Sequence, residues 1–200
     1  MKERMLNELP YKVDDELLKE LIETRKKIFA YNSMGYEDFQ KRDLAIKDIL
    51  GKTGEEIIVT SPFFCDYGKN IEVGENFFSS FNLTILDVAK VKIGDNCLFG
   101  PNVSIYTAGH PIHPVARNTG YEYGISVTVG NNVWLGGSVT LCPGVTIGDN
   151  TVIGAGSVVT KDIPSNVVAC GNPCRVVKEI TEKDKDFYYK DRKFDIDCKL

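Results

Sequence analysis

The sequence predicts an all-β solenoid, in which short parallel strands coil around a narrow core, preceded by a helical cap. Between residues 93 and 164 an aliphatic or aromatic residue returns at every sixth position, with one interruption. Glycine follows six of these nine residues directly, and four positions after each of them lies a residue that is mostly small or β-branched. The nine residues are Ile93, Phe99, Ile105, Val129, Leu135, Leu141, Ile147, Ile153 and Val159.

A period of six fits neither the turn of an α-helix nor the alternation of a flat strand. In a solenoid, each hexapeptide forms a short strand and a bend, and glycine lets the backbone turn sharply. One hexapeptide cannot bury its apolar residue alone, so stacked coils create the core. An ordinary all-β domain with regular turns is the alternative. The register is kept across the interruption, which favours the solenoid.

The composition limits the classes of function. The chain has 200 residues, enough for one domain with a sizeable core, and a formal net charge of -4. This charge gives no support to a nucleic-acid partner, so any site for an anion must be local. The N-terminus lacks an apolar signal region, and no stretch reaches membrane-spanning length. We therefore expect a soluble, cytoplasmic protein without a membrane partner.

The six cysteines are not arranged as the disulfide framework of a secreted protein, and none forms a CxxC pair. This pattern favours a reducing compartment. Cys170 and Cys174 could together hold a metal ion, but no further cluster of cysteine or histidine accompanies them. We therefore expect no metal site.

Residues 1–56 are predicted to form the helical cap. A helix over residues 14–30 would place on one side Leu17, Leu18, Leu21, Ile22, Ile28 and Phe29. A second helix over residues 37–50 carries Phe39, Ile46, Ile49 and Leu50. The two helices should cover the open end of the solenoid, because a bare terminal coil would expose strand edges and core.

The solenoid is predicted over residues 57–177. Its first part shows a looser period of six through Tyr67, Val73, Ser79 and Ile85. Ile85 and Ile93 are eight positions apart, so two extra residues should bulge out near residues 88–90. The interruption predicts a protruding loop at about residues 108–126, which carries both histidines. Residues 178–200 are predicted to be a charged tail, either a short helix or an extended cap with a mobile end.

Two runs carry a family resemblance: "IGDNCLFGPNVSIYTAGHPIHP" and "VGNNVWLGGSVTLCPGVTIGDNTVIGAGSVVTKDIPSNVVACGNPCRVV". They resemble the hexapeptide-repeat acyltransferases, and among these the maltose and galactoside O-acetyltransferases. The resemblance implies a left-handed parallel β-helix of triangular section with three hexapeptides per coil. It also implies a homotrimer with sites between subunits, and transfer of an acetyl group from acetyl-CoA to a hydroxyl of a sugar or glycoside.

His110 is the candidate catalytic residue. From the residues alone it could be a general base or a histidine that anchors its loop. Its place in "TAGHP" matches the family and favours the general base, whereas His113 matches a variable position and is expected to be incidental. Glu122 or a backbone carbonyl is expected to orient the imidazole, and a backbone N–H of Gly136 or Gly137 to stabilise the oxyanion.

The acceptor side of the site is expected from the resemblance of "CDYGKNIEVGENFFSSFNLTILD" to the family's acceptor pocket. The residues that this resemblance and the loop assign to the acceptor are Asp14, Asp66, Ser80, Asp87, Glu122 and Trp134. Relatives commonly carry asparagine where Ser80 stands, which leaves the acceptor open. Asp14 and Asp15 have a second interpretation as acids in the first turn of the helix. Trp134 should face outward, towards the acceptor pocket or a trimer contact.

The coenzyme is expected along a groove between neighbouring solenoids. By resemblance, its pantetheine arm runs past Gly137 and Ala155. The residues assigned to its phosphate end are Thr160, Lys161, Arg175 and Lys178. An acidic protein that binds an anionic coenzyme needs such a local basic cluster. Lys178 could alternatively be an ordinary solvated lysine.

Three functional classes remain to be compared. The leading one is O-acetylation of a sugar or glycoside. The second is a related acetyltransferase with a non-sugar or amino acceptor, such as an antibiotic or a nucleotide-linked amino sugar. The third is a zinc-dependent solenoid or a non-catalytic scaffold. A zinc site of that kind needs three histidines, and this chain has two in one loop. Retention of His110 with the basic residues argues against a scaffold.

Overall fold

The computed structural model describes residues 1–196, and the predicted mobile end of the tail, with Cys198, lies outside the described residues. Three parallel sheets form the sides of a triangular prism of about six coils. Face 1 consists of β1 (Ile57–Val59), β4 (Phe77–Ser79), β7 (Leu98–Phe99), β12 (Trp134–Leu135), β15 (Val152–Ile153) and β17 (Val167–Cys170). Face 2 consists of β2 (Phe63–Cys65), β5 (Leu83–Leu86), β8 (Ser104–Tyr106), β13 (Thr140–Leu141) and β16 (Val158–Val159). Face 3 consists of β3 (Ile71–Val73), β6 (Val91–Ile93), β11 (Val127–Val129) and β14 (Thr146–Ile147).

Three corners join these faces. They are called here the glycine corner, the asparagine corner, and the flap corner, which contains the long loop with both histidines. The glycine corner, between faces 1 and 2, comprises residues 60–62, 80–82, 100–102, 136–138 and 154–156. The flap corner, between faces 2 and 3, comprises residues 66–70, 87–90, 107–126, 142–145 and 160–162. The asparagine corner, between faces 3 and 1, comprises residues 74–76, 94–96, 130–132, 148–150 and 164–166.

The predicted period of six is the period of the coil. Leu135 pairs with Phe99 in the coil before it and with Ile153 in the coil after it, in parallel register. All nine repeated residues are at most 2% exposed, and they stack along the axis of the prism. The predicted solenoid is therefore confirmed, and the core results from stacking rather than from any single coil.

In the first part of the solenoid, the predicted position of Tyr67 in the period of six is wrong. Cys65, and not Tyr67, occupies the core position at the end of β2, while Tyr67 lies in the flap corner and packs in a separate cluster. The core positions Cys65 and Val73 are therefore eight apart, as Ile85 and Ile93 are. Two extra residues bulge out at the same corner in two successive coils, and the sequence predicted only the second bulge.

The cap contains α1 (Lys2–Leu6), which was not predicted, α2 (Asp15–Asn32) and α3 (Phe39–Ile49). In α2 the buried stripe is Leu17, Thr24, Ile28 and Tyr31. Leu18, Ile22 and Phe29, which were expected on the same side as Leu17 and Ile28, are exposed, because residues three or four apart share a helix face and these three lie beside that stripe. Phe29 is 76% exposed.

Helix α3 packs on the first coil through Ile46 and Ile49, whereas Phe39 is exposed, contrary to the expected apolar side. Arg42 is buried instead, and its guanidinium lies 4.7 Å from the centre of the Tyr31 ring. The cationic group thus replaces an apolar residue in the contact between α2 and α3. The predicted cover over the open end of the solenoid is formed by these two helices.

The C-terminal segment is more regular than the predicted tail. Strand β18 (Arg175–Glu179) pairs antiparallel with β17 and runs across the predicted boundary at residue 177. A 3₁₀ helix at Glu182–Asp186 follows, and then a small hairpin of β19 (Phe187–Tyr189) and β20 (Arg192–Lys193). Within residues 1–196, no helix combines the length and apolar character that a membrane crossing requires.

Candidate active site

The third coil carries a large insertion in the flap corner, residues 107–126, called the flap. Its base is closed by the antiparallel pair β9 (Ala108–Gly109) and β10 (Tyr123–Gly124). Its tip contains the single-turn helix α4 (Pro114–Arg117), which begins with proline and is capped by His113, whose Nδ1 accepts from the Val115 N–H at 3.3 Å. His113 therefore has a local structural role.

His110 is the first residue beyond the paired base of the flap, and its side chain is 59% exposed. Its Nε2 lies 4.0 Å from Oε2 of Glu122, whose side chain is 22% exposed. This distance is too long for a hydrogen bond but short enough for the carboxylate to stabilise a protonated imidazole. The structure therefore brings together the two flap residues that the sequence assigned to proton transfer and acceptor binding.

Close to Glu122 lies a cluster of polar side chains. Tyr11 and Tyr67 are buried, and among residues 1–196 neither of their hydroxyls has a hydrogen-bond partner. Burial raises the pKa of Asp66, Arg25 opposes this effect, and the charge of Glu122 adds to it. Burial and the nearby Glu122 likewise raise the pKa of Tyr11 beyond its usual range. The cluster thus combines buried phenols with carboxylates next to the flap, polar groups of the kinds that bind hydroxyl groups.

Asp87 lies next to this cluster and is completely buried. Its Oδ1 accepts from the backbone N–H groups of Asp66 at 3.0 Å and Tyr67 at 2.9 Å, and Oδ2 accepts from Asn70 at 3.4 Å. Burial raises its pKa to about 7, although the N–H groups of Tyr67 and Asp66 act in the opposite direction. The carboxylate shapes the turn that presents Asp66 and Tyr67, so its burial conflicts with the expected direct contact with the acceptor.

Asp14 is the N-cap of α2. Its Oδ1 accepts from the Leu17 N–H at 3.1 Å, and its Oδ2 lies 3.0 Å from the N-terminal amine of Met1. These hydrogen bonds lower the pKa of the Asp14 carboxyl. The contacts match the capping interpretation of the acids at residues 14 and 15, and both oxygens of the Asp14 carboxylate are engaged within the N-terminal segment.

Three predicted site residues lie at the glycine corner and not beside His110: Ser80, Gly137 and Ala155. Within one chain, the width of face 2 separates this corner from the flap corner, roughly 10–15 Å for a strand with its flanking bends. The N–H of Gly136 donates to the carbonyl of Ile153 at 2.8 Å, which leaves Gly137 as the candidate oxyanion donor. A Cβ on Gly136 would lie 2.6 Å from the backbone nitrogen of Ala155, so coil stacking requires this glycine.

Trp134 points outward from face 1, as predicted, and is 54% exposed. It stands between Leu98 and Val152 in the parallel ladder. The outward residues of this face form an apolar stripe of Ile58, Phe78, Leu98 and Trp134. Face 3 presents Glu72 and Lys92 at the corresponding positions, so the outward surfaces of the two faces differ in character.

The four residues predicted at the phosphate end are exposed but occupy different elements. Thr160 and Lys161 follow β16 in the flap corner, and Arg175 and Lys178 lie on β18 at the end of face 1. The Nη1 of Arg175 donates to the carbonyl of Cys174 at 2.7 Å, and Lys178 forms an ion pair with Asp184. In the described part of the chain, no group of three side chains is placed to bind a metal ion.

Tyr11 and Tyr67 were not singled out from the sequence as site residues. The available signal for Tyr67 was the spacing of eight between Cys65 and Val73, which marks an extra bulge at the corner that carries the flap. Tyr11 had no local signal, because its place beside Glu122 depends on how the segment before α2 crosses the flap.

Comparison with known proteins agrees with this architecture. Residues 126–161 match the family model for bacterial transferase hexapeptide (six repeats), and residues 90–112 match the hexapeptide repeat of succinyl-transferase. Residues 4–54 match the maltose acetyltransferase hexapeptide capping motif. The chain is 49% identical to galactoside O-acetyltransferase of Escherichia coli (strain K12) over 166 residues, which cover 83% of this chain and 82% of that protein.

Two solved structures are also similar. A galactoside acetyltransferase in complex with coenzyme A superposes with a TM-score of 0.94 at 44% identity, covering 98% of both chains. A maltose O-acetyltransferase from Clostridium difficile 630 has a TM-score of 0.90 at 51% identity, covering 90% of this chain and 97% of its own. The likeness therefore extends over the helical cap as well as the solenoid.

Proposed function

The chain belongs to the hexapeptide-repeat acetyltransferases with a maltose-acetyltransferase capping motif, and on that premise we propose that it transfers the acetyl group of acetyl-CoA to a hydroxyl of a sugar or glycoside. The observation that carries this proposal is the exposed imidazole of His110 beside the carboxylate of Glu122, on a flap whose base packs against the buried phenols Tyr11 and Tyr67. The relatives named for galactoside and maltose acetylation, and the similar structure with coenzyme A, support it.

The proposed chemistry is a direct transfer. Neutral His110 accepts the proton of the acceptor hydroxyl as its oxygen attacks the thioester carbonyl carbon. The carbon–sulfur bond then breaks, an acetyl ester forms, and His110 returns the proton to the sulfur of coenzyme A. The carboxylate of Glu122, 4.0 Å from Nε2 of His110, attracts the positive charge that the imidazole carries between these steps. Holding both substrates together supplies much of the acceleration.

A covalent route through Cys65 or Cys97 is disfavoured by the burial of both thiols. Burial raises the pKa of the Cys97 thiol to about 11, and it also raises the pKa of the Cys65 thiol well above its usual range. Such thiols are poor nucleophiles at neutral pH. The five cysteines among the described residues form no disulfide, which supports the proposed cytoplasmic location.

We propose that the active unit is a homotrimer. His110 and the residues assigned to the pantetheine arm, Gly137 and Ala155, lie at different corners of one chain. A second copy beside the first can bring a glycine corner to the neighbouring flap. The exposed apolar stripe around Trp134 on face 1 supports such a contact. Thr160, Lys161, Arg175 and Lys178 would then bind the phosphates.

An acceptor that carries an amine is the second candidate, and one observation favours it. Asp66 and Glu122 lie close enough for the charge of Glu122 to raise the pKa of Asp66, with Arg25 as the opposing charge. A protonated amine on the acceptor would relieve this repulsion. The presence of Ser80, where relatives commonly carry asparagine, leaves room for a different acceptor.

The test is acetyl-CoA turnover, followed as thiol release, against glucosides, galactosides, maltose and aminoglycosides. We expect His110→Ala to lose on the order of a hundredfold or more in activity, the usual contribution of a general base. His113→Ala is the matched control: it removes the other flap histidine, which only caps α4, and should retain activity within about threefold of wild type.

Two results would overturn the proposal. Thiol release that His110→Ala leaves within a factor of about two would remove His110 from the role of general base. Absence of thiol release with every acceptor would remove the acetyltransferase proposal itself. Preference for aminoglycosides over neutral glycosides would select the second candidate.

A further inference from the structure

The segment between α1 and α2, residues 7–13, crosses the flap and is called the strap. Tyr11 and Glu122 exchange two backbone hydrogen bonds, one of 2.9 Å from the Tyr11 N–H and one of 3.0 Å from the Glu122 N–H. Both backbone polar groups of Glu122 are therefore bound to the strap and not to the solenoid. The position of the Glu122 backbone beside His110 depends on a segment more than a hundred residues away in the sequence.

A second contact joins the strap to the end of the flap. The Oε1 of Glu8 accepts from the Ser126 N–H at 2.9 Å and from the Ser126 hydroxyl at 2.5 Å. Glu8 has a φ of 58°, a left-handed conformation that residues other than glycine rarely adopt. A carboxylate that accepts two hydrogen bonds from one residue can hold that conformation. Glu8 thus fastens the strap at the point where the flap returns to face 3.

The strap is anchored by its own hydrophobic cluster. Met5, Tyr11, Leu17, Tyr67 and Val88 are buried together, with Leu21 and Ala108 packed against them, apart from the core of the solenoid. Ala108 lies at the base of the flap, two residues before His110. The flap therefore packs against an anchored strap on one side, while its tip, with Ile112 at 93% exposure, has no such support.

We propose that the strap is a positioning element of the active site, and that Glu8 is a positioning residue that acts through Ser126 and the flap on Glu122 and His110. This inference rests on the proposed function, because it gives those two residues their catalytic meaning. The strap holds the carboxylate of Glu122 against the imidazole by fixing the backbone that carries it. A small displacement of a proton-transfer group lowers the rate of the chemical step more than it lowers binding.

The test uses Glu8→Ala, Ser126→Ala and the double variant. Glu8→Ala removes both hydrogen bonds to Ser126, and we expect kcat to fall on the order of three- to tenfold. The double variant should be no slower than Glu8→Ala, because the two residues act as one unit. The KM for acetyl-CoA should stay within about twofold of wild type, since the residues assigned to the coenzyme lie on other elements.

Lys2→Ala is the matched control. It breaks the 2.5 Å ion pair between Lys2 and Glu20, which ties the same N-terminal segment to α2 and not to the flap. We expect unchanged kcat. A loss in this control equal to that of Glu8→Ala, a kcat unchanged in Glu8→Ala, or losses that simply add in the double variant would each overturn the proposal.

Hydrogen exchange of the flap amides provides a measurement that does not depend on turnover. If no acceptor is acetylated, the proposed function fails, but the strap can still be tested. Glu8→Ala should then speed exchange at residues 108–124 while the amides of β12 and β15 keep their wild-type rates. Unchanged exchange in the flap would refute the positioning role independently of the reaction.

Discussion

The asparagine corner repeats almost unchanged from coil to coil, whereas the flap corner differs in every coil. In the asparagine corner, one asparagine per coil donates its side-chain amide to the next asparagine along the axis, over 2.8–3.2 Å. All five have φ between 54° and 61°. They are Asn76, Asn96, Asn132, Asn150 and Asn166. Asparagine tolerates this left-handed conformation better than most residues. One residue type therefore supplies both the side-chain hydrogen bond along the axis and the positive φ of the corner.

The flap corner contains bulges in the first two coils and the flap in the third. Some of its polar groups satisfy one another, since Asp87 accepts from the N–H groups of Asp66 and Tyr67. The hydroxyls of Tyr11 and Tyr67, however, are buried without a partner among residues 1–196, and the imidazole of His110 is exposed. The comparison teaches that the repeating corner uses its hydrogen bonds for stability, whereas the irregular corner leaves a titratable side chain open to a ligand. Insertions at one corner of three successive coils place those groups side by side.

The largest expected effect concerns Asp87, the buried carboxylate of the flap corner, which should reduce stability when it is ionised. Burial raises the pKa of Asp87 to about 7 from a value of 3.8 when unperturbed. Between these values the folded state binds more protons than the unfolded state, so the free energy of unfolding should fall as pH rises and level off above about 7. Asp87→Asn should remove this component, on the order of 4 kcal/mol.

Urea unfolding of both proteins between pH 4 and pH 8 measures this effect. The pKa of Asp66 is also raised, so this residue makes the free energy of unfolding fall with pH in both proteins. The contribution of Asp87 is therefore the difference between the wild-type and Asp87→Asn curves. Parallel curves across the whole range would mean that Asp87 does not titrate there, and the contrast between the corners would lose its electrostatic part.

A second effect compares the same substitution at the two corners. In Gly130→Ala the added Cβ would lie 2.8 Å from the backbone nitrogen of Asp149, in the next coil, and we expect a loss of about 3 kcal/mol in unfolding free energy. In Gly120→Ala, on the flap, the nearest atom is the Cε of Lys12 at 4.0 Å. The residual cost there is the left-handed φ of 78°, about 1 kcal/mol.

Denaturant unfolding of both variants decides between these expectations. Equal losses at residues 120 and 130 would show that the flap packs as tightly as the asparagine corner, and the distinction between a rigid and an adaptable corner would fail.

The smallest expected effect concerns the asparagine corner, where each asparagine both bonds to its neighbours along the axis and adopts a left-handed backbone conformation. Asn132→Ala loses the side-chain bonds to Asn96 and Asn150 and also strains the backbone, so we expect about 2 kcal/mol of destabilisation. Asn132→Gly loses the same bonds without the strain and should cost about 1 kcal/mol. Acetyl transfer should be unchanged in both. Thermal unfolding and thiol release measure these outcomes, and a drop in turnover with intact folding would assign the asparagine corner a part in the reaction.

Much of the candidate site could be predicted because its residues belong to recognisable runs. His110 was identified within "TAGHP", and the structure places it on the exposed flap. Asp87 was identified equally easily, but its role was not, because a sequence shows a carboxylate without showing the three N–H groups that surround it. Glu8 and Tyr11 were missed altogether, since their partners are Ser126 and Glu122 in a distant part of the chain.

The sequence by itself predicted the solenoid, because stacking coil on coil buries a residue that returns at every sixth position in one register. It also predicted which coil carries the flap. The tertiary structure alone decided which polar groups meet: that Glu122 lies beside His110, that Asp87 is buried against the N–H groups of Asp66 and Tyr67, and that the strap pairs with the flap. Periodicity is a local property that a sequence displays, whereas the meeting of distant side chains depends on how whole elements pack.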